Sequence, residues 1–234
     1  MFKSSIPLFF FFSAIVQFNF AQETENAEED YSLLDLFVSA QSSTPCETEF
    51  NSLKSCLSDV TANYNGSSET RWSDNETMIS ILEDAEKANC FVPSDCANIK
   101  IAKYIYDGII YLGEKIYQQG FGCIKKIESD QEALQETFKH CINVVLLGGQ
   151  ATVESVSIGN FAVALRPVTE CFFHRQQQCS WEERTALIDG FNKALDLVSA
   201  YINPDKVLKE LNINETDISK KEYTAVYSFF ATWI

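Results

Sequence analysis

Two histidines, five prolines and nine glycines are all this chain holds of the residue types most used to ligate metals, turn the backbone sharply or cradle phosphates. So little glycine and proline excludes a fibrous or low-complexity chain. The chemical signatures are missing too. There is no C-x-x-C pair, no H-E-x-x-H helix, no G-x-S-x-G elbow and no phosphate-binding glycine loop. The glycine pair in LGGQ, residues 147–150, reads as a helix breaker. Paired carboxylates such as Glu28-Glu29-Asp30 and Glu182-Glu183 suit acid–base chemistry in principle, but among 33 acidic residues they read as solvated surface. No internal repeat and no linker dividing two domains is visible. The chain therefore reads as a non-enzyme, with no cofactor and no catalytic residues to assign.

Positive charge is also scarce. Eighteen Lys and Arg stand against 33 Asp and Glu, a formal charge of −15. Nucleic acids and anionic lipid surfaces are poor partners for such a chain.

What is present begins with an export signal. Met1-Phe-Lys precedes an uncharged run from Ile6 to Phe20, and Ala21 offers a small residue for cleavage. Residues 1–21 read as a secretory signal peptide. A retained membrane anchor needs about 20 strongly apolar residues, and this run is shorter and diluted by Ser13, Gln17 and Asn19. Cleavage removes Lys3 and takes the charge from −15 to −16. Residues 22–45 follow as an acidic leader and a short helix, five of the nine residues in 22–30 being acidic. Residues 46–234 read as a single helical disulfide-rich domain.

Eight cysteines, an even number in an exported chain, imply four disulfides among Cys46, Cys56, Cys90, Cys96, Cys123, Cys141, Cys171 and Cys179. Cys46 and Cys56 lie on one helical stretch about 15 Å apart along its axis, too far for a bond that wants Cα atoms within about 7 Å. Each is expected to crosslink to another segment. Cys90 and Cys96 flank FVPSD, and either bond each other or staple two neighbours. Three sequons, at Asn65, Asn75 and Asn214, mark expected N-glycosylation and solvent-facing surface.

The pattern beyond the leader is helical, with about six to eight helices expected in an all-α, disulfide-stapled domain. Cys46, Phe50, Leu53, Leu57 and Val60 step along one helical face. Ile101, Tyr104, Ile105, Gly108, Ile109, Leu112 and Ile116 do so over 95–119, with Gly120 as the expected stop. Capping boxes are expected at Ser73 with Glu76, Ser129 with Glu132, and Ser180 with Glu183. Each precedes an apolar stripe: Met78, Ile79 and Leu82; Leu134, Phe138 and Cys141; and Leu187, Phe191, Leu195, Val198 and Ile202. Asn203-Pro204 stops the last. Within 144–170 a short helix is expected to run into Cys171. At the C-terminus Tyr223, Val226, Tyr227, Phe230, Trp233 and Ile234 share one face of a final docked helix. The competing reading of that tail is a removable lipid-anchor signal, weakened by its polar residues and short spacer.

The stretch CFFHRQQQCSW, residues 171–181, frames His174 with Cys171 and Cys179. It offers at most three zinc ligands where a closed site uses four, and export favours crosslinking of both thiols. His174 then reads as a polar residue near a helix end, and Trp181 as an apolar anchor for the next helix. His140 and Cys141 are adjacent, so their side chains point about 100° apart on a helix. His140 reads as exposed and Cys141 as core.

CETEFNSLKSCL, at 46–57, followed by scattered cysteines and sequons, resembles the cysteine-rich secreted helical proteins of unknown function common in nematodes. The resemblance spans residues 46–180 and implies an all-helical extracellular domain. It brings no catalytic residues. Insect odorant-binding proteins, with their C-x-x-x-C pair, and saposin-like proteins, which begin with C-x-x-C, do not match. The function expected is that of an extracellular binding or structural component whose partner is another extracellular protein. The alternative is a carrier, in which phenylalanines and the tyrosines of 104–117 line a cavity for a small hydrophobic ligand.

Overall fold

A computed structural model of the chain describes residues 45–62, 64, 74–147 and 161–233. These form helices and no strand. They are α1 (Pro45–Ala62), α2 (Asn75–Ala88), α3 (Ala97–Gly113), α4 (Phe121–Glu128), α5 (Gln131–Ile142), α6 (Phe161–His174), α7 (Trp181–Ile202), α8 (Pro204–Glu210) and α9 (Lys220–Trp233). A π-helical segment, Glu114–Gly120, joins α3 to α4 without a break, and a second, Asn143–Leu147, extends α5. With Ala97–Glu128 counted as one rod, there are eight helices among the described residues, as the periodicity predicts.

The longest α-helix, α7, is the hub: α6, α3, α4, α8 and the π-segment 114–120 all pack against it. Its predicted stripe points inward at Leu187, Phe191 and Leu195, while Val198 and Ile202 are half-buried. α9 lies against α3 and buries Tyr223, Val226, Tyr227 and Phe230. The side chain of Trp233 and the whole of Ile234 lie outside the described residues. Phe50, Leu53, Leu57 and Val60 of α1 join the same apolar cluster, with Phe50 edge-on to Phe229 at 6.3 Å.

Gly120 is not a helix end. A Cβ there would collide with the Leu187 side chain, so the glycine allows the rod to press onto α7 and the chain runs straight on into α4. Two of the three predicted caps also sit elsewhere. Asp74 caps α2, accepting from the Glu76 amide, and Asp130 caps α5, accepting from the Ala133 amide. Ser129 instead closes α4, its hydroxyl donating to the Lys126 carbonyl at 2.6 Å, and Ser73 lies outside the described residues. In both places an aspartate follows the serine, and a carboxylate is the stronger acceptor for exposed amides at a helix start.

Ser180 and Glu183 do form the full reciprocal box on α7. A further box, of Ser219 with Glu222, starts α9, with the Ser219 amide 2.8 Å from Glu222 Oε2. Asn203 closes α7 and Pro204 opens α8, where its missing N–H costs nothing. α6 runs into Cys171 as expected and ends just beyond it, at His174.

Candidate functional site

The chemistry-bearing residues converge on crosslinks. All eight cysteines are paired: Cys46 with Cys96, Cys56 with Cys90, Cys123 with Cys179 and Cys141 with Cys171, at Cα separations of 5.4, 5.7, 5.1 and 5.7 Å. Two nested pairs result. In each, one bridge encloses the other, and neither pair crosses into the other half of the chain.

The first pair is a ladder. The ten positions from Cys46 to Cys56 cover about 15 Å of helix, and the six from Cys90 to Cys96 reach up to about 20 Å when extended. Residues 90–96 carry no helix and run antiparallel along α1. Between the bridges the Ser94 hydroxyl donates to Glu49 at 2.5 Å, and beyond them the Asn98 amide donates to the Cys46 carbonyl at 3.2 Å. Of the two routes open to Cys90 and Cys96, the stapling one is taken. Phe91 packs on Tyr106 at 4.8 Å, and Val92 is 74% exposed.

Beside this ladder lies an open groove of about 640 Å³ lined by Ser52, Ser55, Cys56, Asp59, Val60, Asp84 and Ala88. Next to it Tyr64 donates to Asp84 at 2.6 Å, and burial, then that bond, push the phenol up to about 12. The groove offers hydroxyls and carboxylates. Nothing in the sequence joins Asp59 to Asp84, which line one groove only in the fold.

The second pair closes the corner between α6 and α7. Cys123 and Cys141 are fully buried and Cys179 nearly so. The sulfurs that frame His174 are therefore bonded to Cys123 and Cys141, not offered to a metal. A tight turn holds the corner: the Gln176 amide donates to the Phe173 carbonyl and the Cys179 amide to the Gln176 carbonyl, both at 3.1 Å. Glu183 then accepts from the Ser180 amide at 2.7 Å and from Lys126 at 3.0 Å. These interactions, the Ser180 amide foremost, hold its carboxyl below the usual range.

Trp181 is not the expected anchor, for it is 60% exposed. Its ring stacks on His174 at 5.8 Å, and the Arg184 guanidinium lies 5.9 Å from its centroid while donating to the His174 carbonyl at 3.2 Å. His140 is exposed beside buried Cys141, as their adjacency predicts.

Of the sequon asparagines, Asn65 lies outside the described residues. Asn214 is exposed at a single 3₁₀ turn, its Nδ2 donating to Asp217 at 2.9 Å. Asn75 opens α2 half-buried, and the Thr77 hydroxyl of its sequon donates to Asp74. Among the described residues no helix is long and apolar enough to cross a membrane. Compared with family models, curated proteins and solved structures, the chain matches none.

Proposed function

We propose that this is a secreted, N-glycosylated extracellular protein that acts by binding or as a structural component rather than by catalysis. The observation that carries it is the pairing of every cysteine, a state that persists in oxidising compartments. The signal-peptide pattern of residues 1–21 and the sequons agree with that compartment. The surface best suited to a protein partner is the corner of His174, exposed Trp181 and half-buried Arg184, because tryptophan and arginine are among the residues most enriched as interface anchors.

Carriage of a small hydrophobic ligand has weaker support. Tyr106 and Tyr117 are buried among apolar neighbours, and the groove beside α1 is lined by Ser52, Ser55, Asp59 and Asp84. Intact mass and peptide mapping of the protein collected from the medium of expressing cells test the proposal. The expected product starts near residue 22, carries glycan at Asn214 and holds no free thiol. Retention inside the cell with free cysteines overturns it.

A further inference from the structure

The four bridges differ in what surrounds them. Cys123 and Cys141 are sealed at 0% exposure and Cys179 at 5%, whereas Cys56 and Cys90 are both half-buried and Cys56 lines the open groove. Cys46–Cys96 has one buried end, Cys96, and Cys141–Cys171 has one fully sealed end. Thiol–disulfide exchange needs an attacking thiolate to reach a sulfur, so access decides which bridge reacts. We propose that Cys56–Cys90 is a redox-addressable clasp, opened in the folded protein by an external dithiol while the other three bridges stay closed.

The chemistry balances without any other reagent. A thiolate of the dithiol attacks Cys56 Sγ from the groove, the S–S bond breaks, and Cys90 leaves as a thiolate that takes up a proton. The second thiol of the reagent then attacks the mixed disulfide. It closes the reagent into a cyclic disulfide and releases Cys56, so two electrons and two protons pass to the protein. Cys46–Cys96 still tethers α1 after opening, while residues 90–95 come free of its C-terminal half.

Asp59 and Asp84 line the same groove. Their charge repels an anionic thiol more than a neutral one, an effect that falls with salt. The clasp therefore selects for reductants that carry no negative charge beyond that of the attacking thiolate.

The test uses the full disulfide-bonded protein in native buffer. Limiting dithiothreitol is added, the reaction is quenched with acid, free thiols are alkylated, and peptides are mapped by mass. Cys56 and Cys90 should label first, on the order of ten-fold ahead of any other pair, with access setting the rate. First labelling at another pair, or all eight appearing together, overturns the proposal. With a monothiol, the mixed disulfide should form on Cys56, and finding it on Cys90 overturns the groove as the route. Asp59→Asn with Asp84→Asn should speed reaction with glutathione, whose thiolate carries a net charge of about −2, several-fold more than reaction with 2-mercaptoethanol, whose thiolate carries about −1. Equal acceleration of both overturns the charge selection.

Discussion

The two nested crosslink pairs have similar connectivity and opposite settings. Cys46–Cys96 and Cys56–Cys90 hold α1 to an irregular segment, and no helix runs alongside α1 as closely as those around α7 run beside one another. Cys123–Cys179 and Cys141–Cys171 lie where α4, α5, α6 and α7 meet, with Cys123, Cys141 and Cys179 buried. In the first region crosslinks add to the burial of one face of α1, where Phe50, Leu53, Leu57 and Val60 join the core cluster. In the second, three of the four sulfurs are themselves sealed in the packing.

Chain entropy alone does not separate them. With the inner bridge in place, the outer ring shrinks to about 16 residues in the first pair and about 26 in the second, which the loop model values at about 3.1 and about 3.5 kcal/mol. Burial does separate them. Removing Cys123 and Cys179 as alanines adds voids at fully or nearly buried positions, and should cost about 4 kcal/mol or more in one global transition. Removing Cys46 and Cys96 should loosen α1 locally, visible as faster hydrogen exchange confined to residues 45–62, with a smaller loss of melting temperature. Equal global losses from the two variants would erase the comparison.

Two glycines sharpen it further. A Cβ at Gly113 would strike Leu82 of α2, and one at Gly120 would strike Leu187 of α7. Leu187 is fully buried at the hub, and Leu82 is buried on the shorter α2. Gly120→Ala should therefore cost about 1–3 kcal/mol by overpacking, and Gly113→Ala less, because α2 has fewer neighbours and can yield. Urea denaturation of both variants decides the order.

Much of this arrangement was legible in the residues. Periodicity found the stripe of α7 and the buried face of α9, since a helix that must bury one side repeats its apolar residues every three or four positions. Ten positions on one helix excluded a Cys46–Cys56 bond. What failed had local causes. The S-x-x-E signature is ambiguous when Asp follows Ser, as at Ser73-Asp74 and Ser129-Asp130, and unambiguous at Ser180-Trp181. Gly120 was misread because a glycine that permits close approach and one that ends a helix look alike in sequence. The groove residues Asp59 and Asp84 line one surface only because the Cys56–Cys90 bridge holds α1 to the segment that follows α2, for which no local signal exists.

pH should divide the regions next. Glu183 and Glu222 are held below the ordinary carboxyl value chiefly by the Ser180 and Ser219 amides. A depressed carboxylate contributes stability above its unfolded value near 4.5, and that contribution is lost as pH falls through the folded value. Burial pushes Tyr106 and Tyr223 up to about 12, so their contribution is complete below 10 and is lost as pH climbs from there. Acid should loosen the starts of both α7 and α9, whereas alkali should act on the cluster of α3 and α9 that α1 joins. Ser180→Ala should cost about 1 kcal/mol at neutral pH and leave the acid limb of the stability profile largely in place, because the backbone amide that depresses Glu183 remains. Glu183→Gln should flatten that limb, and an acid limb unchanged in this variant would show that the Glu183 carboxylate does not govern it.

The smallest effect is expected at Trp181. At about 100° per residue, Trp181 lies roughly 80° from the centre of the stripe of Leu187, Phe191 and Leu195, off the buried face. Its contacts are His174 and Arg184, both at the surface corner. Arg184 keeps its bond to the His174 carbonyl when the indole is gone, and the Ser180 box uses backbone and Glu183, not the ring. Trp181→Ala should thus change stability by less than about 0.5 kcal/mol, a shift of less than about 2 °C in Tm for a chain of this size. A loss above about 2 kcal/mol would make Trp181 a structural anchor after all. A null result leaves a large aromatic side chain that the fold does not need, at a corner fixed by a buried disulfide and a helix cap, and that is the arrangement a binding surface requires.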